Sequence, residues 1–160
     1  MNYRNARTWQ VIGAVAIAAV LAHQFWHWVV ERVEVPPGQF LVRVALWGDP
    51  LPPGEVLAPT EASQGIQKVV LPEGRHFLNP FAWAHEVRPM LEVPAGQCAV
   101  LTRRYGKDLP ADRVARGDFL VPLADDTYRG IVREVLLPGR HRVNPYAYDV
   151  KLVPAVEIKA

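Results

Sequence analysis

The chain has 160 residues, half of them hydrophobic and 21% charged, which is enough to bury a core and excludes a disordered tail. Eighteen basic residues against sixteen acidic ones leave a net charge of +2 spread along the chain, which excludes the clustered basic footprint of a nucleic-acid binder. One cysteine, Cys98, excludes a disulfide framework and fits no metal or redox spacing, so it reads as a small strand or core residue.

The first predicted element is a helix. No charge occurs from Trp9 to Val30, while Arg4 and Arg7 precede this stretch and Glu31 and Arg32 follow it. Trp9 to Trp28 would span about 28 Å as a helix, close to the thickness of a bilayer's hydrocarbon core. Tryptophans at both ends suit the two membrane interfaces, and the arginines at the start put the N-terminus in the cytoplasm by the positive-inside rule. A single-pass anchor in the cell membrane is expected, with everything after it periplasmic. The rival is a cleaved signal peptide, with Val11 to Ala22 as its apolar region and small residues at Val20-Leu21-Ala22. Against it, the apolar aromatic stretch runs on to Val30.

His23, Gln24 and His27 fall on one stripe of this helix at 100° per residue. Three readings follow for the stripe. Its polar tips meet the outer headgroups beside Trp26 and Trp28, or it contacts neighbouring helices through hydrogen bonds. In the third, His23 or His27 is the axial ligand of a haem or a (bacterio)chlorophyll, a role for a neutral imidazole. "AVLAH", ending at His23, is similar to the Ala-x-x-x-His arrangement of light-harvesting antenna helices.

After the helix the sequence repeats itself. "GRHFLNPFAW" from Gly74 returns as "GRHRVNPYAY" from Gly139, "EVPPGQ" at Glu34 returns as "EVPAGQ" at Glu92, and "GIQKVVLPEGRH" at Gly65 returns as "GIVREVLLPGRH" at Gly130. The spacing between boxes is seven residues longer in the second copy, which a surface loop absorbs. The division expected is therefore 1–32 for the N-terminus and helix, 33–91 for a first module and 92–160 for a second.

Each module reads as β. "QFLVRVAL" and "QCAVLTRR" are short runs closed by turn signals at Trp47-Gly48-Asp49-Pro50 and Tyr105-Gly106-Lys107-Asp108, with prolines bounding the runs. The ten-residue phrases read as strand, Asn-Pro turn, strand, so the fold class expected is mainly β after one helix. At the end, "VEIKA" from Val156 aligns with "LEVPA" from Leu91, as though a third module were about to begin.

The Pro-x-Gly-Gln box, the β-run ending at Gly106-Lys107, then Pro-Gly-Arg-His and Asn-Pro-Tyr before "VKLVPAVEI" resemble the opening of the SPFH or band 7 superfamily of stomatin, prohibitin, flotillin and HflK/C. The resemblance covers about residues 34 to 160. It implies a membrane anchor followed by a β-rich domain that assembles side by side on a membrane. The first copy departs from the pattern, with Gly48-Asp49 in place of Gly-Lys, and the family's second subdomain and long C-terminal helix have no counterpart in this sequence.

No enzyme is expected, and no catalytic or metal-binding residue is assigned. Phosphate loops, Cys/His metal pairs and nucleophile elbows are missing from the sequence. His76 and His141 recur at matching places beside Arg75 and Arg140, which suits a folding device needed in every copy. Gly74, Arg75, His76, Asn79 and Pro80, with Gly139, Arg140, His141, Asn144 and Pro145, are read as structural residues of the repeat. Gly74 and Gly139 are expected at positive φ, and the arginines are expected to tie adjacent strands. Asp118, Asp125 and Asp126 form a solvated loop, or a divalent-cation site in the second reading. A membrane hydrolase using Asp or His is the third class of function. The first is a scaffold or accessory subunit partnered with an integral-membrane complex and the lipid bilayer, or with copies of itself. The second is a respiratory or photosynthetic subunit whose helix holds the cofactor.

Overall fold

The computed structural model describes residues 3–155, with side chains from residue 7 onward. Helix α1 covers Tyr3–Phe25, and its apolar residues, free of proline, continue without a break into a π-helical turn at Trp26–Val30. The Glu31 N–H donates to the Trp26 carbonyl at 3.2 Å and ends the turn. Arg32, the last residue of the expected N-terminal division, opens the first strand.

Among the described residues twelve strands follow. β1 (Arg32–Val35), β2 (Gln39–Ala45), β3 (Leu57–Ala58), β4 (Gly65–Gln67), β5 (Gly74–Phe77) and β6 (Trp83–Pro89) make the first β-region. The second contains β7 (Leu91–Val93), β8 (Gln97–Arg103), β9 (Leu120–Val121), β10 (Gly130–Val132), β11 (Gly139–His141) and β12 (Tyr148–Pro154). A short helix, α2 (Ala111–Ala115), lies between β8 and β9, inside the longer spacing of the second region.

The strands of the described residues form four small sheets. β1 pairs with β5 and β7 with β11, both antiparallel. The other two sheets run β3-β4-β2-β6 and β9-β10-β8-β12, each with one parallel pair, β3 with β4 and β9 with β10. Gly48 and Gly106 follow the long strands β2 and β8 at the expected turns, both with positive φ.

Packing explains why both regions are needed. Val35, Leu41 and Leu78 form one core with Leu71, Trp83 and Val87 against it, and Leu101, Val121 and Val132 form another. Each is a small core, and a domain of about 60 residues is marginal by itself. A third cluster, Leu57, Tyr105 and Ala147, draws residues from both regions and joins them. The expected third-module start, Val156 to Ala160, lies outside the described residues.

Gly74 and Gly139 have φ of +125° and +144°, and an added Cβ at Gly74 would meet nothing within 4 Å. The demand on these glycines is therefore backbone conformation, not space. Gly74→Val and Gly139→Val are each expected to cost about 1 to 3 kcal/mol of unfolding free energy, by denaturant titration, through strain alone. Wild-type stability in both variants would refute this.

Candidate functional site

Three of the residues singled out in the sequence, His27, Asn144 and Asp126, lie at two joints, one between helix and first β-region, the other between the two regions. At the first, Glu31 receives two hydrogen bonds, from Trp26 Nε1 at 3.1 Å and His27 Nδ1 at 2.9 Å. The bond from His27 contributes most to holding the Glu31 carboxyl below its usual pKa range. The His27 ring stacks on Phe77 with centroids 4.3 Å apart, and Trp26 stacks on Phe81 at 5.7 Å. The Leu78 N–H donates to the Glu31 carbonyl at 2.7 Å, so the helix end is fastened to the turn after β5 by main chain as well as rings.

This divides the polar stripe of the helix. His27 is held in the joint with one ring nitrogen committed to Glu31, whereas His23 and Gln24 are exposed on the helix surface. His23 lies 6.5 Å from His27, ring to ring.

The ten-residue phrases do the same work at both places. His76 Nε2 donates to the Pro72 carbonyl and His141 Nε2 to the Leu137 carbonyl, each at 2.7 Å, which closes the turn ahead of β5 and of β11. A carbonyl can only accept, so both rings carry the proton on Nε2. The Asn79 side-chain oxygen accepts from the Phe81 N–H at 2.9 Å, and that of Asn144 accepts from the Tyr146 N–H at 3.0 Å. These are Asx turns, the reason asparagine precedes proline in both phrases. Arg75 and Arg140 are exposed; Arg75 lies over the Trp28 ring at 5.8 Å.

The second joint buries what the first leaves open. Asn144 is 4% exposed, and its amide nitrogen donates across the joint to the carbonyls of Gln67 at 3.0 Å and Lys68 at 3.2 Å. Tyr146 donates its hydroxyl to Glu86 at 2.9 Å, and Tyr105 donates to Asp126 at 2.9 Å. Burial, with the neighbouring Tyr148 hydroxyl, pushes the Tyr105 phenol up. Lys68 pairs with Asp126, and burial together with the Arg103 charge lowers its pKa.

No family model, curated protein or solved structure matches this chain. The chemistry must be read from the residues alone. The three aspartates of the second β-region do not converge: Asp118 binds Arg113, Asp125 accepts from Thr127, and Asp126 serves the joint. Among the described residues no group of three or more His, Cys, Asp or Glu is placed to hold a metal ion. A cleft of about 490 Å³ lies between the regions, walled by Phe40, Met90, Leu91, Val143 and Tyr148, and its lining contains no histidine, serine or cysteine.

One residue escaped the sequence reading. Arg103 is 1% exposed, and its guanidinium donates to four carbonyls, those of Pro122, Leu123, Asp125 and Tyr128. The alternation of β8 points to it, because Ala99, Leu101 and Arg103 share the buried face of that strand while Thr102 and Arg104 are exposed.

Proposed function

We propose that this chain is a single-pass membrane protein that works by contact, as a scaffold or accessory subunit of an integral-membrane complex, and has no catalytic role. The observation that carries this reading is the helix itself. The stretch Arg7–Val30 has 24 residues, and its most apolar window has a mean hydropathy of 1.4 and buries nothing against the rest of the chain. An apolar surface of this length seeks lipid or other helices.

The arginines at the start of the helix support a cytoplasmic N-terminus, with the β-regions on the far side of the membrane. We read those regions as two copies of one SPFH-like module. Support comes from the recurring sequence phrases, the matched strand orders and the identical histidine and asparagine bonds in both turns. Modules with this placement present binding surfaces, while the joints occupy His27, Glu31, Lys68, Tyr105 and Asp126 in structural bonds.

The helix partner is tested at His23 and Gln24, because replacing His27 would also loosen the joint. The paired substitutions His23→Leu and Gln24→Leu are expected to weaken co-purification with an integral-membrane complex in mild detergent, since exposed polar groups on a membrane helix favour hydrogen-bonding neighbours. Undiminished co-purification of this variant, or a wild type that runs alone as a monomer, would sink the accessory-subunit reading.

A further inference from the structure

Three aromatic positions of the first module match three in the second: Trp47 with Tyr105, Phe81 with Tyr146, and Trp83 with Tyr148. Their fates differ. Tyr105 is 9% exposed in the joint between modules, whereas Trp47 is 76% exposed and Phe81 69%. Asparagine follows the same division, since Asn144 is buried in the joint and Asn79 is exposed. The face that the second module seats on a protein neighbour is thus open in the first.

Its depth is set by the helix. The middle of Arg7–Val30 falls near Ala18 and Ala19, which puts Trp26 about 11 Å from the bilayer centre, just inside the edge of a hydrocarbon core about 30 Å thick. Phe81 stacks on Trp26, and Trp47 Nε1 donates to the Phe81 carbonyl at 2.8 Å. Both exposed rings are therefore carried at the level where a membrane changes from acyl chain to headgroup.

Side-chain chemistry selects the occupant. In the joint between modules the Tyr146 hydroxyl bonds to Glu86 of the first module, as a protein neighbour with carboxylates permits, and the Tyr105 hydroxyl bonds to Asp126 of its own module, which pairs in turn with Lys68 of the first. The counterparts Trp47, Phe81 and Trp83 carry no hydroxyl, and the indole N–H of Trp47 is already satisfied within the module. Aromatic bodies with their polar groups satisfied suit the interfacial layer of a bilayer.

We propose that Trp47 and Phe81 seat the first module on the outer headgroup–acyl boundary of the membrane, making the helix and module one tilted, lipid-facing unit. This rests on the membrane-anchor reading above. Spin labels test both together in the full chain carrying Cys98→Ser, reconstituted in phosphatidylcholine–phosphatidylglycerol vesicles. Labels are placed separately at Trp47→Cys, Phe81→Cys, Ile17→Cys and Leu137→Cys. The Phe81→Cys variant keeps the carbonyl that Trp47 binds, so the two seat positions perturb the fold differently. Collisions with oxygen are expected to dominate over those with a water-soluble nickel chelate at residues 47, 81 and 17, and nickel to dominate at 137, which lies on the second module. Nickel-dominated collisions at 47 and 81 with oxygen at 17 would overturn the seat and leave the anchor standing. Nickel at all four positions would remove the anchor as well. Labels at 47 and 81 that are immobilised and hidden from both reagents would mean a protein covers this face, a second copy or another subunit, and would equally overturn the lipid seat.

Discussion

Gly48→Ala is expected to lower the unfolding free energy by about 2 to 5 kcal/mol, more than either valine substitution at Gly74 or Gly139. Two costs add at this position. Gly48 has a φ of +143°, and an added Cβ would stand 2.2 Å from the Ala62 carbonyl oxygen and 2.8 Å from the Gln64 nitrogen. Those are main-chain atoms, and they are held in place. The Asp49 N–H donates to the Ala62 carbonyl at 3.0 Å, the Gln64 N–H donates to the Asp49 carbonyl at 2.9 Å, and Ser63 between them is buried. The neighbouring chain therefore cannot slide away without giving up these bonds, whereas Gly74 has open space where its Cβ would go. Gly106 is intermediate, with its nearest backbone oxygen 2.9 Å from the position of a Cβ. Denaturant midpoints for Gly48→Ala and Gly74→Val measured side by side decide the matter, and equal losses would show that the turn after β2 is looser than its geometry indicates. Because Trp47 immediately precedes this glycine, the same variant is also expected to displace the exposed indole.

Local signals in the sequence were enough for some of this structure. The uncharged stretch from Trp9 to Val30 marks the helix by composition, although the helix itself begins earlier, at Tyr3. Asn79-Pro80 and Asn144-Pro145 mark turns because an asparagine side chain closes on a backbone N–H only two residues away. Nothing local distinguishes Asn79 from Asn144, since the second is buried only by carbonyls more than seventy residues earlier in the chain. The split of His27 from His23 is equally nonlocal, for it depends on Phe77 arriving from β5. The three aspartates look like a cluster in the chain because they are close in sequence, yet their partners Arg113, Thr127 and Lys68 come from three different places.

Arg103 carries the other large effect. It is a buried cation with no carboxylate bonded to its guanidinium, held by four carbonyls of the segment from Pro122 to Tyr128, and its Nε has no partner. Burying a charge costs several kcal/mol, so the four bonds must offset that cost before they stabilise anything. Removing the guanidinium relieves the cost but leaves the carbonyls without donors, and an unpaired buried acceptor costs about 1 to 3 kcal/mol. The bare carbonyls win, because Arg103→Met restores apolar volume and no donor. Leu123 and Asp125 are already exposed, so water can replace part of what is lost there, whereas Pro122 and Tyr128 are half-buried and depend on the segment opening. Arg103→Met is therefore expected to lose about 3 kcal/mol of global stability and to show faster amide exchange across residues 122–128. Opening would also release Asp126 from Tyr105 and Lys68, so the loss extends into the joint between the two β-regions. Arg103→Lys separates charge from geometry: three donors on one nitrogen cannot reproduce the fork that reaches Pro122 and Leu123 on one side and Tyr128 on the other, so the lysine variant is expected to fall between wild type and methionine. A methionine variant as stable as wild type, with residues 122–128 equally protected, would mean that relief of the buried charge outweighs the four bonds.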